Sequence, residues 1–305
     1  MQYTDTGIKQ KSEIISSSSA VDFIELMKPR VMSLVIFTAM VGMYLSPYHI
    51  HPVLAIISLL AISAGAGASG AMNQWIDRDI DAIMDRTRGR PIPSGRIEKS
   101  EAITFASVVA ILSVIVLGLA SNWLAAILLA ITIFFYAVIY SVFLKRSTPQ
   151  NIVIGGAAGA LPPVIGWVSM TGNISIIPVF MFLLIFFWTP PHFWSLALIK
   201  ADDYNKANIP MMPNIAGEKS TRLQIFVYSL LVCSVAITPV FLGFFGFLYS
   251  VVVIPLSLLF IGFSIFLIFK QFQKYDHQFF IYSIFYLFSV FLTLIFDKMF
   301  TGEVI

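Results

Sequence analysis

Cysteine is nearly absent from this chain: its 305 residues include one, Cys233, set in an apolar run. No disulfide within the chain can form, and the thiol is expected to be buried and inert. Charge is scarce too. Charged residues make up 11% of the sequence against 58% hydrophobic, with a mean hydropathy of +0.87, a balance that excludes an ordinary soluble protein. A net charge of +3 gives no argument for nucleic-acid binding. The first 20 residues are polar, close with Ser16–Ser19 and hold no apolar core, so no cleaved signal peptide is expected. Residues 1–20 are predicted to form a disordered cytoplasmic tail and 21–305 a single transmembrane domain. Two glycine patterns are set aside. Gly155-Gly156-Ala157-Ala158-Gly159-Ala160 lacks the Lys-Ser/Thr ending of a phosphate loop and suits close helix packing. Gly65-x-Gly67-x-x-Gly70 matches a dinucleotide fingerprint by letters, but it lies inside an apolar span and follows no soluble strand.

What the chain does have is long apolar runs, over 31–48, 52–72, 102–120, 123–144, 151–170, 175–198, 225–244, 247–269 and 279–296. Most approach the roughly 20 residues needed to cross a bilayer as a helix. The predicted fold is therefore all-α, a polytopic membrane bundle of about nine transmembrane helices. Placing the N-terminus inside puts every one of the 19 basic residues except Lys298 on the same side. The positive-inside rule then predicts a cytoplasmic N-terminus and an external C-terminus; the membrane is expected to be a bacterial inner membrane. The polar chemistry collects in two inside loops, about 73–101 and 199–224.

In the first loop Asn73, Asp77, Asp81 and Asp85 recur at intervals of four. At 100° per residue, four steps return to nearly the same side, so the set makes one stripe on a helix. Like charges at that spacing destabilise a helix, and a divalent cation reverses the sign of the effect. Mg²⁺ prefers carboxylate oxygens, keeps some waters and takes its remaining ligands from phosphates. Arg86, Arg88, Arg90 and Arg96 follow within eleven residues and offer planar forks for the same phosphates. Pro91 and Pro93 stiffen the turn that carries Arg90 and Arg96. Asp79 falls on the opposite face, where pairing with Arg78 is expected. The stripe points to a Mg²⁺–diphosphate site at a membrane surface; the bland alternative is a solvated, charge-rich loop.

Asn73-Gln74-x-x-Asp77-x-x-x-Asp81 resembles the first aspartate-rich motif of the UbiA-type intramembrane aromatic prenyltransferase superfamily. Four blocks are similar to its haem-farnesylating branch: Lys28-Pro29-Arg30-Val31; Asn73 to Gly95; Trp188-Thr189-Pro190-Pro191-His192-Phe193-Trp194; and Asp203-Tyr204 with Ile209-Pro210-Met211-Met212-Pro213. The resemblance implies farnesyl diphosphate and haem b as substrates in the lipid bilayer, Mg²⁺ as cofactor, and an enzyme that next modifies the product as a partner. It implies Asn73, Asp77, Asp81 and Asp203 as catalytic residues, with Asn73, Asp77 and Asp81 as the Mg²⁺ ligands. It also implies substrate contacts from Lys28, Arg30, Arg86, Arg88, Arg90, Arg96, His192, Lys200, Tyr204 and Lys206. The expected reaction ionises the allylic diphosphate, a porphyrin vinyl group attacks the cation, and water captures the second cation. The second loop departs from the superfamily: only Asp202 and Asp203 are present, and they are adjacent. Lys200 or Lys206 is expected to hold diphosphate oxygens there.

His192 differs from His49, His51 and His277 in following a proline pair at the inner end of a helix. It can ligate haem iron, bond a propionate, or serve structure by meeting a carbonyl freed by proline. Lys28 and Arg30 suit propionates or lipid headgroups. The 28 Phe, 11 Tyr and 5 Trp can line a prenyl tunnel, although any single ring is more simply explained by packing. Two other functions fit less well. A prenyltransferase for a quinone precursor or another tetrapyrrole sits poorly with the acid-poor second loop. A secondary transporter with repeated halves sits poorly with charge gathered at one surface. Sidedness is directly testable: a cysteine at Ser94, in a Cys233→Ser background, should react with an impermeant thiol reagent only from the cytoplasmic face, and labelling from outside intact cells would overturn the topology.

Overall fold

The computed structural model describes residues 18–270 and 272–301. Residues 1–17 of the predicted tail lie outside that range. Ser19 already caps the first helix, accepting from Asp22 N while the Asp22 carboxylate accepts from Ser19 N, a reciprocal capping box. This helix, α1 (Ala20–Leu26), is an addition to the expected elements. It meets α2 (Pro29–Leu45) at a bend of 60°.

The chain continues through α3 (Pro52–Ile76), the short α4 (Arg78–Ile83), α5 (Lys99–Ala120) and α6 (Trp123–Phe134). α6 runs on as a π-helix over Phe135–Leu144. Beyond it lie α7 (Asn151–Ala160), α8 (Pro162–Thr171), α9 (Ile176–Ile199), α10 (Ala201–Lys206), α11 (Met212–Phe241), α12 (Phe247–Phe269) and α13 (Gln273–Thr301). Among the described residues, eight helical segments are long and apolar enough to cross a membrane, and the bent α1–α2 pair makes a ninth. The helix count thus agrees with the hydropathy reading, and local chemistry explains the departures. The run at 151–170 breaks because Pro162 and Pro163 cannot continue α7 and instead open α8. The run at 225–244 extends back to Met212, interrupted at Gly217, whose φ of 80° leaves the helix.

Two polar ends organise the bundle. At one, Lys298 donates to the carbonyls of Tyr44 (2.8 Å) and Ser46 (2.9 Å), tying the C-terminal ends of α13 and α2 together. Asp297 accepts from the backbone of Gly246 and Tyr249 at the start of α12, where a carboxylate satisfies free amides and the helix dipole. At the other end Arg222 and Asp276, both almost fully buried, pair at 2.7 Å between α11 and α13. Between the ends, small residues let backbones approach. A Cβ on Gly42 would stand 2.0 Å from Pro163 O, and one on Gly166 2.1 Å from Ala39 O. The crossing of α2 over α8 therefore depends on both glycines. Gly166→Val should cost about 1–3 kcal/mol by overpacking, seen as a lower unfolding temperature in detergent; an unchanged midpoint would show that the helices do not cross this closely.

Candidate active site

α3 keeps its register past its own end. Asp77, the C-cap, donates its backbone N–H to Asn73 O (2.9 Å), and Asp81 donates to Asp77 O (2.8 Å). The interval of four thus survives the break between α3 and α4, and Asn73, Asp77 and Asp81 are 4%, 0% and 2% exposed. Asp85 does not join them. Met84 turns to an extended ψ of 127°, and Asp85 emerges at the surface beside Arg88 (3.4 Å) and Lys206 (3.1 Å). The predicted stripe of four is a buried set of three and an exposed clasp between the two loops.

Buried carboxylates require partners, and cations arrive from three other segments. Lys28, at the α1–α2 elbow, donates to Asn73 Oδ1 at 2.5 Å. Lys145, at the end of the π-helix, bonds Asp77 Oδ2. Arg90, from the proline-stiffened turn, bonds Asp81 Oδ2 at 2.7 Å. Asn73 spends its amide hydrogens on Asp77 Oδ2 (2.7 Å) and Ser141 Oγ (2.8 Å), which orients its oxygen to the lysine. The π register brings Ser141 and Lys145 here: Lys145 N bonds Tyr140 O and Ser141 Oγ bonds Tyr136 O, each five residues back. Tyr136 and Tyr140 stack at 5.4 Å beside them, and Tyr140 fits because Gly155 of α7 has no side chain; a Cβ there would stand 2.3 Å from the ring. Lys145 and Ser141 are the members that sequence reasoning missed, since Lys145 figured there only as a marker of sidedness.

The donor set suits a divalent ion. Two carboxylates and an amide supply hard oxygens, and Asp77 Oδ1 is buried without a hydrogen-bond partner among the described residues. No group of three His, Cys, Asp or Glu converges on one point among those residues, so the amide has to serve as the third ligand, with solvent or phosphate oxygens completing the shell.

The remaining predicted residues divide. Tyr204 is 3% exposed in a cluster with Ile80, Met84 and Ile209; burial raises its pKa, partly offset by the charges of Arg86 and Arg90. Tyr204 thus joins α10 to the arginine loop. Lys200 and Asp203 are half-buried at α10, and Asp202 is exposed. Lys206 is drawn away by Asp85, and Arg88 stands in solvent. Arg30 is exposed near the start of α2. Arg96 is placed differently from the expectation: it bonds Asp22, Glu25 (2.8 Å) and Gly89 O (2.8 Å), clasping α1 rather than facing the buried acids. Asp79 faces away from the stripe, as expected, but pairs with Arg146 through two bonds of 2.8 Å, which hold its carboxyl down at about 2. Arg78 instead bonds Trp75 O and lies over that ring.

His192 is gripped between Trp188 and Phe280, with ring centroids 4.2 and 4.6 Å away. Ser283 Oγ gives its hydrogen to Phe280 O (2.6 Å) and so accepts from His192 Nδ1 at 2.7 Å. With the hydroxyl hydrogen committed to that carbonyl, the imidazole is assigned as the Nδ1–H tautomer, leaving the lone pair on Nε2. Phe187 and Trp194 face Tyr228 of α11, while Thr189 faces Gly156 of α7. By helix geometry His192 lies roughly opposite the α11 face, between α7 and α13.

The sequence model of the UbiA prenyltransferase family matches residues 35–292. Protoheme IX farnesyltransferase 2 of Mesorhizobium japonicum is 51% identical over 303 residues, covering 97% of this chain and 95% of the relative. Protoheme IX farnesyltransferase of Rhizobium leguminosarum bv. trifolii is 53% identical over 301 residues, covering 96% and 94%. In fold, the chain is similar to digeranylgeranylglyceryl phosphate synthase, with a TM-score of 0.77 at 19% identity over 92% of this chain and 98% of the other. It is also similar to a UbiA homologue from Archaeoglobus fulgidus bound to GPP and Mg²⁺, with a TM-score of 0.64 at 18% identity over 90% and 99%.

Proposed function

The chain belongs to the UbiA prenyltransferase family, and from that premise we propose that it transfers a farnesyl group from farnesyl diphosphate to a vinyl group of haem b. Relatives more than half identical over nearly the whole chain bear the name of that activity. The observation that carries the reading is the buried Asn73–Asp77–Asp81 set met by Lys28, Lys145 and Arg90. Six side chains from four segments make a place where a polyanion and its cation replace internal pairs.

A Mg²⁺ ion held by Asn73, Asp77 and Asp81, as the Mg²⁺ in the Archaeoglobus neighbour supports, would supply charge neutralisation on the leaving diphosphate. Lys145 and Arg90 turn from the acids, and Lys28 from the Asn73 amide, to diphosphate oxygens, with Arg86 contributed by the same loop as Arg90. Preorganised cations of this kind stabilise charge as it develops and need little reorganisation. The C–O bond breaks with its electron pair going to diphosphate, and the allylic cation meets the faces of Tyr136 and Tyr140. The vinyl carbon attacks, water adds to the resulting cation, and a proton leaves to solvent. The surrounding apolar bundle keeps water from the first cation.

The haem face is assigned to His192. An imidazole whose Nδ1–H is committed to Ser283 offers Nε2 as an acceptor, which suits iron and not a propionate. Arg30 meets the propionates or lipid headgroups at the membrane surface. Asp203 and Lys200, carried on α10 beside Tyr204, border the diphosphate from the second loop. The site faces the cytoplasm of a bacterial inner membrane, and an enzyme that takes up the lipid-soluble haem product is the implied partner.

Asp77→Asn and Asp81→Asn should each lower turnover by about 10²–10³ with the protein still in the membrane, while Asp79→Asn, on the opposite face, stays within a few-fold of wild type. Near-normal haem product from either of the first two variants would remove the site from the reaction.

A further inference from the structure

Gln74 has no part in the chemistry above, yet it is 1% exposed at the end of α3, one residue from Asn73. Its side-chain amide donates to Leu26 O (2.9 Å) and Glu25 O (3.3 Å), the last carbonyls of α1. Leu26 O lies where a helix end leaves carbonyls without helical donors, and the elbow that follows is unusual. Lys28 has φ 55° and ψ 58°, a left-handed conformation that side chains other than glycine seldom adopt. Its backbone N–H bonds Glu25 O at 3.1 Å, the carbonyl that Gln74 also meets at 3.3 Å, while the shorter bond of Gln74 holds Leu26 O, the last carbonyl before the elbow.

The rest of α3 is shaped to receive the elbow. A Cβ on Gly67 would stand 2.4 Å from Met27 Cε, and one on Gly70 would lie 3.6 Å from both Met27 O and Lys28 Cδ. Gly67, Gly70, Asn73 and Gln74 thus form one face seating residues 25–28. Met27 packs at its upper end, and Lys28 reaches Asn73 at its lower end. This accounts for two of the three glycines in the pattern that resembles a nucleotide loop by letters alone; the third, Gly65, faces Leu129 and Ser113.

We propose that Gln74 is a positioning residue: it pins the α1–α2 elbow so that Lys28 is forced into its left-handed conformation and aims its ammonium at the diphosphate site. The inference rests on the proposed role of Lys28 at the diphosphate. Gln74 touches neither substrate and acts only through Lys28.

Its loss should therefore weaken farnesyl diphosphate and leave haem alone. Gln74→Met removes Gln74 Oε1, a buried acceptor with no hydrogen-bond partner among the described residues, and takes from Leu26 O the donor that holds it, which is the contact under test. Gln74→Leu provides a second version if the Met side chain packs poorly. The measurement is KM for farnesyl diphosphate and haem affinity in wild type, Gln74→Met, Lys28→Met and the double variant, with unfolding temperature as a control. Each single change should raise KM about tenfold with haem affinity unchanged, and the double variant should be no worse than Lys28→Met. A wild-type KM for both Gln74 variants, or single effects that multiply in the double variant, would overturn the positioning role while leaving Lys28 at the diphosphate. A wild-type KM for Lys28→Met would instead overturn the role of Lys28 itself, and the inference with it.

Discussion

Two carboxylates almost without solvent contact, Asp77 and Asp81, govern the polar end of this bundle. An ionised carboxylate in an apolar interior is costly unless paired, and removing one partner of such a pair typically costs about 3–5 kcal/mol. The fold meets that demand from a distance in sequence: Lys145 is 68 positions from Asp77, and Lys28 is 45 from Asn73. The same arrangement that makes the acids tolerable also gathers the cations a diphosphate needs. In the proposed function, that problem of charge burial is one that substrate and metal solve as well as the protein does.

The helices are placed to keep that solution available. α3 carries the acids past its own end because the backbone bonds of Asp77 and Asp81 continue its register. The π-helix delivers Ser141 and Lys145 together, and Gly155 gives Tyr140 room beside them. Glycines elsewhere do equivalent work, admitting Met27 against α3 and drawing α2 over α8. Exposed pairs such as Asp85 with Lys206, each more than half exposed, add little energy by comparison; they hold the two inner loops in one layer.

Much of this was legible in the sequence, and the failures have identifiable causes. Hydropathy located the spans because a spanning helix must satisfy its own backbone in lipid. The interval of four located Asn73, Asp77 and Asp81, since helix geometry fixes that face whatever the helix packs against. Asp85 shared the interval and still left the site, because Met84 ends the helix with an extended backbone, and no residue there announces a break. Arg96 looked equal to Arg90, but its partners Asp22 and Glu25 sit on a seven-residue helix at the edge of what looked like a polar tail. Lys145 was hidden by the π register, which shifts a face by one residue per turn relative to an α-helix. His192 stood out from its proline pair, whereas its tautomer depended on Ser283, 91 positions away.

The central claim is that the buried site ionises a farnesyl diphosphate and delivers the cation to a haem vinyl group. The most direct test is the mass of haem extracted after the purified protein is incubated in detergent with haem b, farnesyl diphosphate and Mg²⁺. The account predicts a haem heavier by one farnesyl group and one hydroxyl, formed only when all three are present. Unchanged haem, with the farnesyl group appearing instead on a quinone precursor supplied in its place, would contradict it.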